Sequence, residues 1–254
     1  MPSNRPILTF GFSTVTSRIN DLKPPSYSSE YEVLVSLQNP TKTKYVLDLP
    51  KSRLIELNNI GVAKSRNAVL DNSLGEYLIF GDDDVTFIED GILKAISFFQ
   101  THSECSIILA QAIDYSGALR KHYKDSISPL KLTNAARAAT YEILVRVDAI
   151  RNAGIRFDEN FGAGSKNYLG DEFIFIADAL RAGLKGVHLP VAIAIHPKAS
   201  SGSAWGTERD LSARAKVFTR VFGARAPIMR LAFILKNRGK KPGILKSLKF
   251  VFEQ

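Results

Sequence analysis

Three adjacent carboxylates, Asp82, Asp83 and Asp84, follow Gly81 at the end of the apolar run EYLIF, residues 76–80. Like charges packed this closely repel one another, and a cation relieves the repulsion. In extended chain, residues i and i+2 project to the same side, so Asp82 and Asp84 can face a common ligand while Asp83 points away. Hard oxygen donors favour Mg²⁺ or Mn²⁺, ions that keep part of their shell for substrate phosphates. The plainer alternative is a solvated acidic turn or a cap on the helix that begins near Ile88. A second acidic pair, Asp171-Glu172, opens the run DEFIFIADALRA; two acids there also suit the positive end of a helix. His196 follows an apolar run and precedes Pro197, whereas His102, His122 and His188 have no acidic neighbours in sequence and read as structural or exposed. The single cysteine, Cys105, begins the apolar run CSIILAQAI and reads as a buried core thiol of a reducing compartment.

The elements that must position these groups alternate strand-length apolar runs with helical spacing, the pattern of an α/β domain. Strands are expected at 7–14, 32–37, 53–57, 76–80, 106–113 and 191–195. Helices are expected at 62–72, 88–100 and 171–182, then in the C-terminal segment at 210–222 and 227–236, before a Gly/Lys/Pro break at 239–243. Residues 142–150 read as strand or helix, and the polar, basic stretch 119–139 takes no assignment. In open α/β sheets ligands lie beyond the carboxyl ends of the strands, where the aspartate triplet falls.

Composition narrows the classes. A chain of 254 residues with 45% apolar and 23% charged side chains can bury a proper core as one large domain or two small ones. No apolar run approaches the roughly 18 residues of a spanning helix. The N-terminal MPSNRPILTFGFSTV lacks the long apolar core and cleavage site of a secretory signal, so a cytoplasmic location is expected. The net charge of +9 is confined to residues 208–254, which carry 12 bases against three acids; the rest of the chain is balanced at 22 of each. A neutral body with a basic tail argues against a protein whose main surface grips nucleic acid, and for a segment that seeks something anionic.

The segments GVAKSRNAVL and GEYLIFGDDDV resemble the signature of inverting family-2 glycosyltransferases with the GT-A fold, in which a Gly-x-x-x-x-Arg-Asn helix precedes a strand ending in Asp-x-Asp. FDENFGAGSKNYLGDEFIFIADALRAGLK is similar to that fold's acceptor segment, and IHPKASSG to the C-terminal histidine that completes its metal site. The resemblance spans about residues 6–206. It implies a Rossmann-like nucleotide-sugar-binding domain with a mostly parallel central sheet over residues 1–206, and a basic helical segment over 207–254. It further implies Mn²⁺ or Mg²⁺ held by Asp84, Asp82 and His196, with Asp82 also at the donor ribose beside Asp83. Arg66 and Asn67 are placed near the nucleotide and diphosphate, and Thr14 and Asn39 at nucleotide-facing strand ends. Glu172 maps to the base that deprotonates the acceptor. The family's commoner order is Glu then Asp, so Asp171 stays open as the alternative.

These positions imply transfer of a sugar from a UDP- or dTDP-type donor to a glycan or lipid-linked acceptor, in bacterial surface-polysaccharide or glycolipid assembly. Two competing readings differ in kind. A polymerase palm also places Gly-Asp-Asp after an apolar strand, but it turns straight into a second apolar strand, and residues 85–100 have helical spacing instead. The other is a non-catalytic partner-binding protein on the same scaffold. The segment PIMRLAFILK, residues 227–236, is too short to span a bilayer but suits its interface. The basic segment is therefore expected either to seat the protein peripherally on an anionic surface, the inner face of the plasma membrane, or to pack its apolar residues against the body or a second subunit.

Overall fold

A computed structural model describes residues 5–26, 28–49, 51–197, 206–236 and 243–253. Nine strands form one mixed sheet: β1 (Leu8–Val15), β2 (Tyr31–Gln38), β3 (Ser52–Leu57), β4 (Tyr77–Asp82), β5 (Thr86–Phe87), β6 (Cys105–Ile113), β7 (Ser128–Pro129), β8 (Ile143–Arg146) and β9 (Lys185–Ile195). Their order is β3-β2-β1-β4-β8-β6-β9-β5, with β7 beside β9. The long ladders joining β3, β2, β1 and β4, and β6 to β9, are parallel; β8 runs antiparallel between β4 and β6. Helices α1 (Val62–Asn72), α2 (Glu89–Thr101), α3 (Val147–Asn152) and α4 (Asp171–Arg181) belong to the body, and α5 (Glu208–Phe222), α6 (Ala226–Lys236) and α7 (Ile244–Phe252) follow.

The period of two along β4 shows why this run is apolar throughout. Leu78 and Phe80 pack on one face with Ala63, Val69 and Leu70 of α1 and Ile174 and Phe175 of α4. Tyr77 and Ile79 pack on the other with Ile92, Ala95, Ile96 and Phe99 of α2. A strand covered on both faces has no solvent side to keep polar. Cys105 lies in this second layer, and burial pushes its thiol up to about 11.

The expected strands and helices are present, with some differences. Residues 142–150 resolve into both alternatives, strand β8 running directly into helix α3. Strand β9 starts six residues before the expected 191, because its Lys185, His188 and Pro190 hide its strand character. Helix α7, whose apolar residues follow the Gly/Lys/Pro break, went unread. The polar stretch 119–139 holds only β7 and turns. The loop after Pro197 and the break at 239–242 lie outside the described residues.

Packing joins the segment that follows residue 206 to the body. Val217 and Val221 of α5 join the core beneath the sheet, and the Phe222 ring lies tilted against that of Phe173 of α4, 6.0 Å between centres. Arg220 also pairs with Asp178 at 2.7 Å and Asp158 at 2.8 Å. Helix α5 is therefore part of the body. Helices α6 and α7 rest on it through a small separate core that includes Leu211, Phe218, Ile234 and Phe250. Buried Arg230 ties the three helices, donating to the carbonyls of Ala215 (2.7 Å), Val251 (3.2 Å) and Glu253 (2.5 Å).

Candidate active site

Strand β4 ends in the centre of the sheet, and its register with β1 sets Asp82 opposite Ser13. The aspartate triplet therefore emerges between the ends of β1 and β8, and each of its members has a different partner. Asp82 takes two contacts from the Arg66 guanidinium, at 3.1 and 3.5 Å. Asp83 turns the other way, as expected. It accepts from Thr14 Oγ1 at 3.1 Å and pairs with Arg18 at 2.8 Å. Burial raises the Asp83 carboxyl above its ordinary range, against the pull of Arg18. Asp84 meets His196, Oδ1 to Nε2, at 3.2 Å; this bond holds its carboxyl below the usual range.

The histidine reaches Asp84 because β5 pairs antiparallel with β9, Thr86 opposite Ile195, folding the chain after the triplet back along the end of β9. Its ring stacks on Tyr141 at 4.5 Å. Two groups compete for Nδ1: the Pro197 carbonyl at 2.7 Å and the Arg120 guanidinium. With the carbonyl as partner, Nδ1 carries the proton and Nε2 offers a lone pair beside Asp84, the form that ligates a cation. With Arg120 as partner, Nε2 carries the proton and donates it to Asp84.

Across the cleft, α4 begins at Gly170, whose φ of 94° is left-handed and whose position leaves no room for a side chain: a Cβ would lie 2.3 Å from Val217 Cγ2. Only glycine serves both needs. The turn sets Asp171 and Glu172 on the first turn of α4, facing α1. There Arg66, 4% exposed, joins the two halves of the site. One terminal nitrogen pairs with Asp171 and lies 3.4 Å from Glu172, while the other holds Asp82. Burial disfavours the guanidinium's charge, but three carboxylates outweigh it and its pKa rises. The fork of two nitrogens lets one side chain serve acids from two elements.

The two acids of α4 are not equivalent. Asp171 is buried, and burial with the neighbouring Glu172 pushes its carboxyl well above the usual range. The Glu172 carboxyl keeps 21% of its surface exposed and accepts from Thr140 Oγ1 at 2.8 Å. Of the two acids, Glu172 is the one open to solvent.

Two of the expected nucleotide residues are spent elsewhere. Asn67 donates to the Phe157 carbonyl at 3.0 Å and accepts from the Phe157 amide at 2.8 Å, clamping the segment that leads to α4 onto α1. Asn39 binds the Thr43 amide and carbonyl at 2.8 and 3.0 Å and closes the loop after β2. Thr14 reaches the cluster through Asp83. Asp82 is not drawn into the Asp84–His196 pair, because Arg66 holds it. Among the described residues no three His, Cys, Asp or Glu side chains gather as a metal cage. The donor set that fits Mn²⁺ or Mg²⁺ is therefore Asp84 with His196, one carboxylate oxygen and one imidazole nitrogen. Such ions take their other ligands from phosphates and water.

The unassigned basic stretch contributes most of what sequence reasoning missed. Arg120 lies between His196 and the Tyr141 hydroxyl. Lys121 pairs with buried Glu142 at 2.6 Å, and Tyr123 donates to the same carboxylate at 2.6 Å. Burial lowers the Lys121 pKa against the pull of Glu142. Adjacent bases at 120–121 in a body otherwise balanced in charge were the available signal; nothing in the sequence marks Thr140 or Tyr141.

The chain resembles the crystal structure of S. aureus TarS with a TM-score of 0.59 at 16% identity, over 91% of this chain and 43% of that one. It thus spans less than half the length of that protein. TarS 1–349 in complex with UDP gives 0.59 at 16% identity over 91% and 71% of the two chains. TarS 1–349 in complex with UDP-GlcNAc gives 0.56 at 16% over 96% and 81%. At such identity the likeness establishes the GT-A fold alone. Comparison with curated sequences returns no match. The model of the family described as glycosyl transferase family 2 matches residues 27–160, more than half of the 254, and that span carries Arg66, the aspartate triplet and the Arg120 stretch. The chain belongs to glycosyl transferase family 2.

Proposed function

We propose that this glycosyltransferase moves a sugar from a nucleoside-diphosphate donor, of UDP or dTDP type, to a hydroxyl acceptor with inversion at the anomeric carbon. The observation that carries the reading is the Arg66 fork, which holds Asp82 at the strand end and Asp171 and Glu172 at the start of α4 around one cleft. A site so built faces a donor on one side and an acceptor on the other. The UDP and UDP-GlcNAc complexes of the similar TarS fold make a uridine donor the first to try.

In this reading Glu172, oriented by Thr140 and Arg66, accepts the acceptor's hydroxyl proton as its oxygen attacks the anomeric carbon. The bond from that carbon to the diphosphate breaks in the same step, the nucleoside diphosphate leaves with the electron pair, and the configuration inverts. Asp84 and His196 would hold a divalent cation, which would supply positive charge against the leaving diphosphate. Arg18, beside Asp83 and 3.9 Å from Asp84, and Arg120 add fixed positive charge on the same side. Asp82, fixed by Arg66, faces the ribose, and Asp171 anchors Arg66 rather than meeting substrate. The acceptor is a glycan or lipid-linked hydroxyl of bacterial surface-polysaccharide or glycolipid assembly. The basic excess of residues 208–254 supports peripheral work on an anionic membrane, at the inner face of the plasma membrane. No helix among the described residues is long and apolar enough to cross one.

The test is calorimetric titration of UDP and dTDP with and without Mn²⁺. One nucleotide should bind with Mn²⁺ enhancement, and Asp84→Asn should remove the enhancement while the melting curve is kept. Failure of every nucleoside diphosphate to bind would overturn the donor class. Undiminished enhancement in the variant would take Asp84 out of the cation site.

A further inference from the structure

The C-terminal helices present apolar side chains that the fold does not use. On α6, Ile228, Leu231 and Leu235 are 70, 49 and 45% exposed, spaced as one helical face. On α7, Ile244, Leu245, Leu248 and Phe252 are 81, 83, 51 and 69% exposed, again on one face. The opposite sides of both helices are already satisfied, α6 through Ala226, Arg230 and Ile234 and α7 through Phe250 and Val251. The cap on α5 is thus complete without these seven residues. Water-exposed apolar area of this extent on a folded domain marks an interaction surface. Its charge is net positive: Arg225, Lys236, Lys246 and Lys249 are exposed on or beside the two helices, while Glu208 and Glu253 share one groove with Lys246 and Lys249.

We propose that the outer faces of α6 and α7 form one docking surface for an anionic lipid bilayer, the apolar residues entering the acyl boundary and the flanking bases meeting the headgroups. The inference rests on the peripheral-membrane part of the proposed function and names the residues that perform it. The alternating pattern argues for lipid rather than a second copy of the chain. A two-fold pairing would bring together two faces of the same net positive charge. Anionic headgroups complement them instead. Attachment here acts on the acceptor side of the cleft. The end of α7 returns to the start of α5 through Ser212 and Glu253. The start of α5 in turn holds Tyr168, just before Gly170, through Asp210 at 3.4 Å and Arg209 at 4.7 Å from the ring centre.

The full chain is mixed with phosphatidylcholine vesicles, with and without phosphatidylglycerol, and sedimented. It should pellet with the anionic vesicles and remain largely in solution with the neutral ones. Leu245→Ser with Phe252→Ser should weaken the partition at least about tenfold, since two large apolar side chains no longer leave water. Lys246→Gln with Lys249→Gln should weaken it on the order of tenfold on anionic vesicles only. Both variants change exposed side chains, and an unchanged melting curve verifies the fold. Absence of pelleting, equal pelleting on neutral vesicles, or insensitivity to the Leu245/Phe252 pair would overturn the proposal. So would a dimer in solution that the same pair dissolves. Nucleotide titration without vesicles should be unaltered in both variants, so loss of donor binding and loss of docking are read separately.

Discussion

Replacing Arg66 by Met tests the central claim about the site, that one buried guanidinium holds acids from two elements in register. Arg66 is 4% exposed, and its carboxylate partners differ in burial: the Asp171 side chain is 3% exposed, Glu172 21% and Asp82 29%. The last two can turn toward water when the cation is removed. Asp171 cannot, because Gly162 and the start of α4 enclose it; a Cβ on Gly162 would lie 2.8 Å from its carboxylate. The loss is therefore that of breaking one buried pair and stranding one charge, about 3–5 kcal/mol. For a chain of this size that corresponds to a fall in melting temperature of roughly 6–20 °C. The stranded charge is also the remedy: Arg66→Met with Asp171→Asn should recover more than half of the lost stability, because the asparagine needs no counter-ion. Arg66→Lys should fall between, since a single ammonium cannot reproduce the two-nitrogen fork. Calorimetric melting of the three variants at about pH 8.5, above the range in which the parent's Asp171 takes up its proton, decides. A melting point for Arg66→Met within about 2 °C of the parent, or an Asp171→Asn change that adds to the loss rather than offsetting it, would refute the reasoning.

Glu172→Gln should lower kcat by about 10²–10⁴-fold with donor affinity kept, and Asp171→Asn should act mainly on stability; the reverse ranking in steady-state kinetics would move the base to Asp171. Asp171 also predicts a pH dependence. Its folded carboxyl titrates above its unfolded value of 3.8, up to about 7, so the folded state binds the extra proton in that window. The stability it contributes is full below the unfolded value and is lost as pH rises through the folded one. Urea unfolding from pH 4.5 to 7.5 should show the parent losing stability relative to Asp171→Asn, and a constant difference would contradict the assignment. Arg230→Leu removes the Arg230 donor to the buried Val251 carbonyl, while the Ala215 carbonyl keeps Thr219 Oγ1, and should destabilise the α5–α6–α7 cap by roughly 1–3 kcal/mol. Hydrogen exchange should then rise in α6 and α7 while β4 and α4 keep their protection, and uniform loss across the chain would show that the cap is not separable.

The alternation along β4, the continuous apolar run before Gly81 and the acids-first, Gly-last pattern of α4 are local properties of a buried strand and an amphipathic helix. They were legible because period and capping are set within a few residues. The same holds for the aspartate triplet and the acidic pair: their types and order along the chain gave the family resemblance, and with it the sheet architecture. Which partner each acid takes was decided by tertiary structure. Asp82 goes to Arg66 and Asp84 to His196 because α1 and β9 arrive on opposite sides of one strand end, a consequence of strand order that no local pattern encodes. Asn67 and Asn39 have the residue types of ligand contacts, but the chain brings backbone amides within their reach first, and buried amides must be paired. The basic stretch 119–139 gave no periodicity because it is held down by Glu142 and the sheet edge rather than by regular structure of its own. What the segment after 206 packs against was open for a similar reason. Charge changes there, but Val217 and Val221 face the core, and burial, not charge, determines where the body of a protein ends.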